Sequence, residues 1–158
     1  MSKILESIYQ IRFDDCDAFQ HLNNMKYLRI FFTEREDHEM LQLDFDMYQY
    51  QKQTGKNWVI GMNQIAYFKP CHLMEKVVVQ TTILEWNPTD YLMEMYMWNE
   101  AKTQMKALFW CRMIHFDFTT NKRATHDDYL NQKLGILVNP LSETMTFEER
   151  VKTIKKRI

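Results

Sequence analysis

One long helical pattern, opening at Asn24 and set between a single strand and four more, constrains this chain more than any other feature. Tyr27, Leu28, Phe31, Phe32, Arg35 and His38 recur at three- and four-residue spacings, a helix of about four turns with Asn23 or Asn24 as its N-cap. Its apolar stripe is wide, which predicts burial on most sides. Before it, Ser7–Phe13 alternates Ile8/Gln10/Arg12 with Tyr9/Ile11/Phe13, the period-two pattern of a strand. After it, Asp44–Gln53 reads as a short helix broken at Thr54-Gly55-Lys56. Strands follow over Trp58–Phe68, Glu75–Trp86, Tyr91–Asn99 and Gln104–Phe118. Asn87-Pro88-Thr89-Asp90 and Thr119–Lys122 read as turns. Two further helices are expected, at Asp127–Lys133 and Thr146–Lys156, the second opened by a Thr146-x-x-Glu149 capping box.

A five-stranded antiparallel sheet has a face to cover, and the helix from Asn24 is long enough to cover it. The expected fold is α+β, a sheet wrapped around one long central helix, plus a C-terminal helix. No repeat, low-complexity tract or linker divides the chain, so residues 1–158 are read as one domain with 134–158 a C-terminal extension.

Composition closes off several functions. A formal net charge of -1 gives no electrostatic case for nucleic acid. No apolar run reaches the roughly 20 residues of a membrane span, and Met1–Glu6 holds no secretory core, so the cytosol is the expected compartment. Cys16, Cys71 and Cys111 are widely spaced and odd in number, unlike a disulfide framework or zinc ribbon. The five histidines share no ligand spacing, and no metal is expected. Neither a G-x-S-x-G elbow, a P-loop nor a dinucleotide fingerprint occurs. Twelve methionines and 14% aromatics suit either an adaptable core or a pocket for flexible acyl groups.

The chemistry concentrates where the first strand hands over to the helix, in Asp15-Cys16-Asp17-Ala18-Phe19-Gln20-His21-Leu22-Asn23-Asn24-Met25-Lys26-Tyr27. The first amides of a helix lack intrahelical acceptors, so those near Asn23–Met25 can hold a developing oxyanion. The Asp17 carboxylate, on the loop leading in, can reach the same carbonyl as nucleophile or as base toward a water. A thiolate leaves readily, so a thioester needs little else. The competing reading makes Asp15 and Asp17 loop caps and the asparagines ordinary helix caps.

This stretch resembles the N-terminal signature D-x-D-x-x-G-H-x-N-N-x-x-Y of the hotdog-fold acyl-CoA thioesterases of the 4-hydroxybenzoyl-CoA thioesterase type. The resemblance runs over most of residues 5–130. It implies that Asp17 is the catalytic carboxylate, that the Asn24 amide is an oxyanion-hole donor and that Asn23 orders the loop or the water. His21 and Tyr27 match the rest of the motif. Ile65–Pro70 followed by Glu75–Val79 resembles the family's strand–proline–turn–strand segment. Two departures stand out: Gln20 replaces the motif's glycine, and Leu73-Met74-Glu75 replaces a Gly-Asp turn, whose geometry should therefore differ.

The resemblance further implies an acyl-CoA hydrolase that needs no cofactor, coenzyme A being part of the substrate. It also implies pairing into homodimers or homotetramers, with Trp58–Tyr67 of a neighbour completing each site. Lys69, Lys122 and Arg123 are candidates for the coenzyme A phosphates. His21 is expected to tether the loop, Cys16 to pack, and Lys152, Lys155, Lys156 and Arg157 to form a solvated helix face. Two other functions remain on the table. A hotdog dehydratase or hydratase needs a histidine with an acidic partner, for which His21 is the local choice. A noncatalytic acyl-CoA-binding protein is favoured by Gln20.

Overall fold

The computed structural model of the protein describes residues 2–157. Strand β1 (Leu5–Gln10) leads through the loop to α1 (Asn24–Asp37), which runs into a π-helical turn at His38–Gln42. Helix α2 (Met47–Thr54) precedes strands β2 (Lys56–Tyr67), β3 (Lys76–Trp86), β4 (Asp90–Asn99) and β5 (Met105–Asp117). A two-residue strand β6 (Lys122–Arg123), α3 (Asp128–Lys133) and α4 (Phe147–Lys155) complete the chain. The strand order is β1-β3-β4-β5-β2, all pairs antiparallel, with β6 added to β5. Helix α1 packs into the curl of this sheet, the hotdog arrangement that the resemblance implies.

Local chemistry explains the boundaries. Asn23 caps α1, its side chain accepting from the Met25 amide, and Asp46 caps α2 by accepting from Tyr48 and Gln49. Gly55 ends α2 at φ 70, a left-handed position that suits glycine. The Thr146/Glu149 capping box forms as the spacing predicts. The first strand departs from expectation. It stops at Gln10, and Phe13–Asp15 make a 3-10 turn because Asp15 folds back to accept the Arg12 amide at 2.9 Å. Phe13, assigned by alternation to the face of Tyr9 and Ile11, is 85% exposed. Helix α1 is buried along one face only, at Tyr27, Ile30, Phe31, Glu34 and Arg35, while Met25 is 79% exposed. The turn expected at Thr119–Lys122 gives up Lys122 to β6.

The sheet has apolar residues on both faces. Its concave side joins α1, α2 and α3 in one core that includes Phe31, Phe45, Trp58, Met95 and Phe109. On the convex side Leu84, Leu92, Met105, Leu108 and Trp110 pack against Phe147 and Ile154 of α4. One buried ion pair fastens that cover. Glu94, fully buried, accepts from Arg150 Nε and Nη2 at 2.9 Å each, from Trp110 Nε1 at 2.7 Å and from the Tyr96 hydroxyl. Removing the guanidinium leaves a carboxylate buried without its cation. Arg150→Met is accordingly expected to destabilise the fold by about 3 kcal/mol, measured by urea unfolding, and adding Glu94→Leu should restore part of the loss. A single mutant with the wild-type midpoint would refute this role for the pair.

Candidate functional site

The loop between β1 and α1 is held by Asp15, which is completely buried. Its carboxylate accepts from the Tyr9 hydroxyl at 2.7 Å, from the Arg12 amide and from the Arg29 guanidinium, and its carbonyl accepts the Asn23 amide at 2.9 Å. Burial pushes its pKa up, but Tyr9, Arg12 and Arg29 together hold it below the usual carboxylate range. Asp15 is therefore an anchor. Cys16 beside it donates to the Arg12 carbonyl at 3.4 Å, and burial with the Asp15 and Asp17 charges raises its thiol pKa. That makes it a poor nucleophile.

Asp17 is placed differently. It is half-buried, and one carboxylate oxygen, Oδ1, accepts from the Phe19 amide at 2.8 Å and the His21 amide at 3.2 Å. Oδ2 has no hydrogen-bond partner among the described residues. The loop is closed by two main-chain bonds, Asp17 N to His21 O and Gln20 N to Asp17 O. Gln20 pays for this tight path with φ 60, the left-handed conformation its motif glycine would adopt freely. Met74 sits likewise at φ 66 in the His72–Glu75 turn, so both positions that depart from the family pattern are left-handed. Gln20→Gly should relieve strain and raise stability by roughly 0.5–1 kcal/mol, a rise of ~2 °C in Tm. An unchanged or lowered melting temperature would show that the loop is not strained there.

At the start of α1 the amides have unequal fates. Met25 NH is capped by the Asn23 side chain at 2.9 Å, and Lys26 NH donates to Asn23 O at 2.8 Å. Asn24 NH has no acceptor among the described residues. Asn24 and Asp17 line one cleft of about 260 Å³, with His21 and Leu22 beside them. Its opposite wall is the end of β2 and the segment after it: Tyr67, Phe68, Lys69 and Pro70, with Tyr27 of α1 between. Tyr67 meets Tyr27 edge-on at 5.0 Å and donates to the Asn24 carbonyl at 3.4 Å. Tyr27 donates to the buried Cys71 thiol at 3.6 Å. Burial raises both the Tyr27 hydroxyl and the Cys71 thiol, the latter to about 11.

The residues singled out in the sequence thus divide. Asp17, His21, Asn24 and Lys69 share the cleft, and Asn23 sits at its edge as the helix cap. The His21 ring stacks edge-on with His72 at 4.8 Å, and the contact of His21 with Asp17 is through its main-chain NH. Lys122 and Arg123 lie elsewhere. They pair with Asp117 and Phe116, whereas Tyr67 pairs with Ala107 toward the other end of β5, about 30 Å away at strand rise. Phe68 and Pro70 were not assigned to a site from sequence, and Tyr67 only as part of a neighbour's Trp58–Tyr67, whereas here it lines the cleft of its own chain. Only the long-range pairing of β2 with β5 brings them to the helix start. No group of three His, Cys, Asp or Glu side chains among the described residues is arranged to hold a metal.

Carbonyl attack requires a carboxylate and a free hydrogen-bond donor at one place, and Asp17 and Asn24, which line one cleft, have a free carboxylate oxygen and an unpaired amide. The profile of the thioesterase-like superfamily matches residues 11–134, most of the chain and the whole of this site. The chain belongs to that superfamily. Membership places it among thioester hydrolases. Solved structures share its hotdog fold at low identity. The YbaW probable thioesterase of Escherichia coli is 21% identical with TM-score 0.74, covering 85% of this chain and 99% of its own. Slr0204, a 1,4-dihydroxy-2-naphthoyl-CoA thioesterase from Synechocystis, is 13% identical with TM-score 0.76, covering 87% and 99%. The SAV2348 protein of Staphylococcus aureus, solved in complex with CoA, is 10% identical with TM-score 0.81, covering 94% and 93%. No curated protein sequence matches significantly.

Proposed function

We propose that this chain hydrolyses an acyl-CoA to the free carboxylic acid and CoA, with Asp17 as the catalytic carboxylate. The observation that carries this reading is the cleft lined by both Asp17, whose Oδ2 is free, and Asn24, whose NH is unpaired. The thioester carbonyl oxygen accepts from Asn24 NH, which stabilises the charge that grows there as the carbon becomes tetrahedral. Asp17 attacks that carbon directly, giving an anhydride which water then cleaves, or removes a proton from an attacking water. In either route the C–S bond breaks and the thiolate departs. Asn23 maintains the helix start, and His21 fixes the loop through its amide and its stacked ring. A CoA complex of a structural relative supports CoA as the carrier of the acyl group.

The hydratase alternative finds less support, since the His21 ring faces His72 rather than a carboxylate. Strand β2 supports a paired assembly. It lies at the end of the strand order with Ile60 52%, Met62 39% and Tyr67 43% exposed, and Tyr67 is itself a cleft residue. In our reading two chains join along β2 and each contributes to the other's cleft, in the cytosol. Among the described residues no helix is long and apolar enough to cross a membrane. Thiol release followed across short, long and aromatic acyl-CoAs tests the proposal and defines the acyl preference. Release from none of them would overturn it.

A further inference from the structure

Arg35, in the second half of α1, is only 4% exposed, and its hydrogen bonds do not close. Nη1 donates to Glu39 at 3.1 Å and to the Tyr91 hydroxyl at 3.5 Å. Nη2 reaches no more than the Met47 sulfur at 4.0 Å and Glu36 at 3.9 Å. Nε has no partner among the described residues. A buried N–H without an acceptor is costly, and in a folded chain it normally meets water or a ligand. Nε and Nη2 share one edge of the planar guanidinium, so the two under-used donors lie side by side.

Arg35 also lines a cavity of about 290 Å³ between α1, α2 and β2. Phe32, Trp58 and Met113 make its lining apolar and aromatic, and Tyr48 and Ile60, each about half exposed, mark its mouth. Other polar groups there are already engaged. Asn57 donates to Gln51 and accepts from the Trp58 amide, at 2.8 Å each, and the Tyr48 hydroxyl donates to Glu36 at 3.2 Å. Among the lining residues only Arg35 has a buried side-chain atom without a partner. The cavity shares no residue with the cleft at Asp17, and Arg35 lies roughly 17 Å along α1 from Asn24.

Charge decides what fits. Glu39, 6% exposed, and Glu36 already offset the guanidinium, so a carboxylate ligand would bring a third negative charge to one buried cation. An uncharged carbonyl oxygen accepts from the same edge without that penalty. An apolar cavity of about 150 Å³ takes a benzene ring. This one therefore has room for a ring and its substituent. We propose that the cavity is a second ligand site, taking a small uncharged aromatic compound whose carbonyl oxygen accepts from Nε and Nη2 of Arg35. Such a site is separate from the chemistry at Asp17 and does not depend on it. Ile60 belongs to β2, so in the proposed pair the mouth borders the neighbouring chain, and binding is measured on the protein as it assembles in solution.

Benzamide is the probe, with benzoate as its charged isostere and toluene as its apolar one. Titrations follow the proton–nitrogen NMR resonances of the Arg35 Nε–H and the Trp58 indole N–H. Benzamide is expected to move both and to bind at least about tenfold tighter than benzoate or toluene. Arg35→Lys keeps a cation beside Glu39 but has no such edge, and Ile60→Trp fills the mouth. Each should weaken benzamide about tenfold, read at the Trp58 signal. Urea midpoints check folding, and should Arg35→Lys fail to fold, Ile60→Trp and the Nε–H shift decide. An Nε–H resonance unmoved at about 10 mM benzamide leaves the cavity to water and overturns the assignment. Benzamide affinity unchanged in both folded variants overturns it too, because the probe then sits elsewhere. Equal affinity for benzoate overturns the choice of an uncharged ligand.

Discussion

Asp17→Asn is expected to lower kcat for acyl-CoA hydrolysis by about 10³-fold, with little change in KM and an unfolding midpoint close to wild type. Asparagine keeps the oxygen that accepts the Phe19 and His21 amides, so the loop retains both bonds that define it. What disappears is the negative charge, and with it the capacity of the second oxygen to attack carbon or take a proton from water. Activity within threefold of wild type would remove Asp17 from the chemistry. The neighbouring aspartate provides the contrast. Asp15→Asn weakens the acceptor for Tyr9, Arg12 and Arg29 in a fully buried site, and its first effect should be on stability. Two aspartates separated by a single residue in sequence thus differ in burial and partners: Asp15 is a buried anchor, and Asp17 is the half-buried carboxylate to which the proposal gives the chemistry.

That separation is a measure of what could be read from the chain. The long helix, its asparagine cap and the Thr146 box were legible because they depend on spacings within a few residues. The order of strands was legible because alternation and turn residues are local too. The features that escaped are set by distant partners. Phe13 leaves the strand because Asp15 turns back on Arg12, under the pull of Tyr9 and Arg29. The far wall of the cleft depends on the register that brings Tyr67 beside Tyr27. The covered convex face depends on Glu94 meeting Arg150, 56 residues later, and neither residue announces the other. Gln20 and Met74 show the converse. Each residue in a motif glycine's place adopts the left-handed backbone, because the surrounding hydrogen bonds outweigh a strain of roughly 1 kcal/mol.

Acid is expected to destabilise this protein progressively below about pH 6.5, and two buried histidines are the main reason. His38 is 1% exposed, with Nδ1 2.9 Å from the Thr81 hydroxyl and Nε2 2.8 Å from that of Ser7. Ser7 donates to Glu34, so it accepts from His38 Nε2, and burial disfavours a second proton on the ring. His126 is 6% exposed, stacks on Trp86 at 4.0 Å, and its Nε2 faces the Trp58 indole NH at 3.2 Å. A proton added at Nε2 would set its N–H against the Trp58 indole N–H, while Nδ1 already donates to the Asn87 carbonyl. Burial lowers both to about 4, with the His115 charge assisting at His126. An unfolded histidine titrates near pH 6.5, so between there and pH 4 the unfolded chain binds one more proton at each site. The stabilisation is therefore complete above pH 6.5 and lost as pH falls, at ~1.4 kcal/mol per unit for each histidine and roughly 3 kcal/mol each by pH 4. Glu34, whose pKa burial raises, works in the opposite sense and offsets part of the slope. Urea unfolding at pH 7.5, 6.0 and 5.0 should show stability falling steeply across the lower interval and hardly at all above pH 7. Equal stability at pH 7.5 and 5.0 would mean that the two rings take up protons inside the fold without hindrance. The packing of Ser7 and Thr81 around one ring, and of Trp58 around the other, would then have to be different from that described.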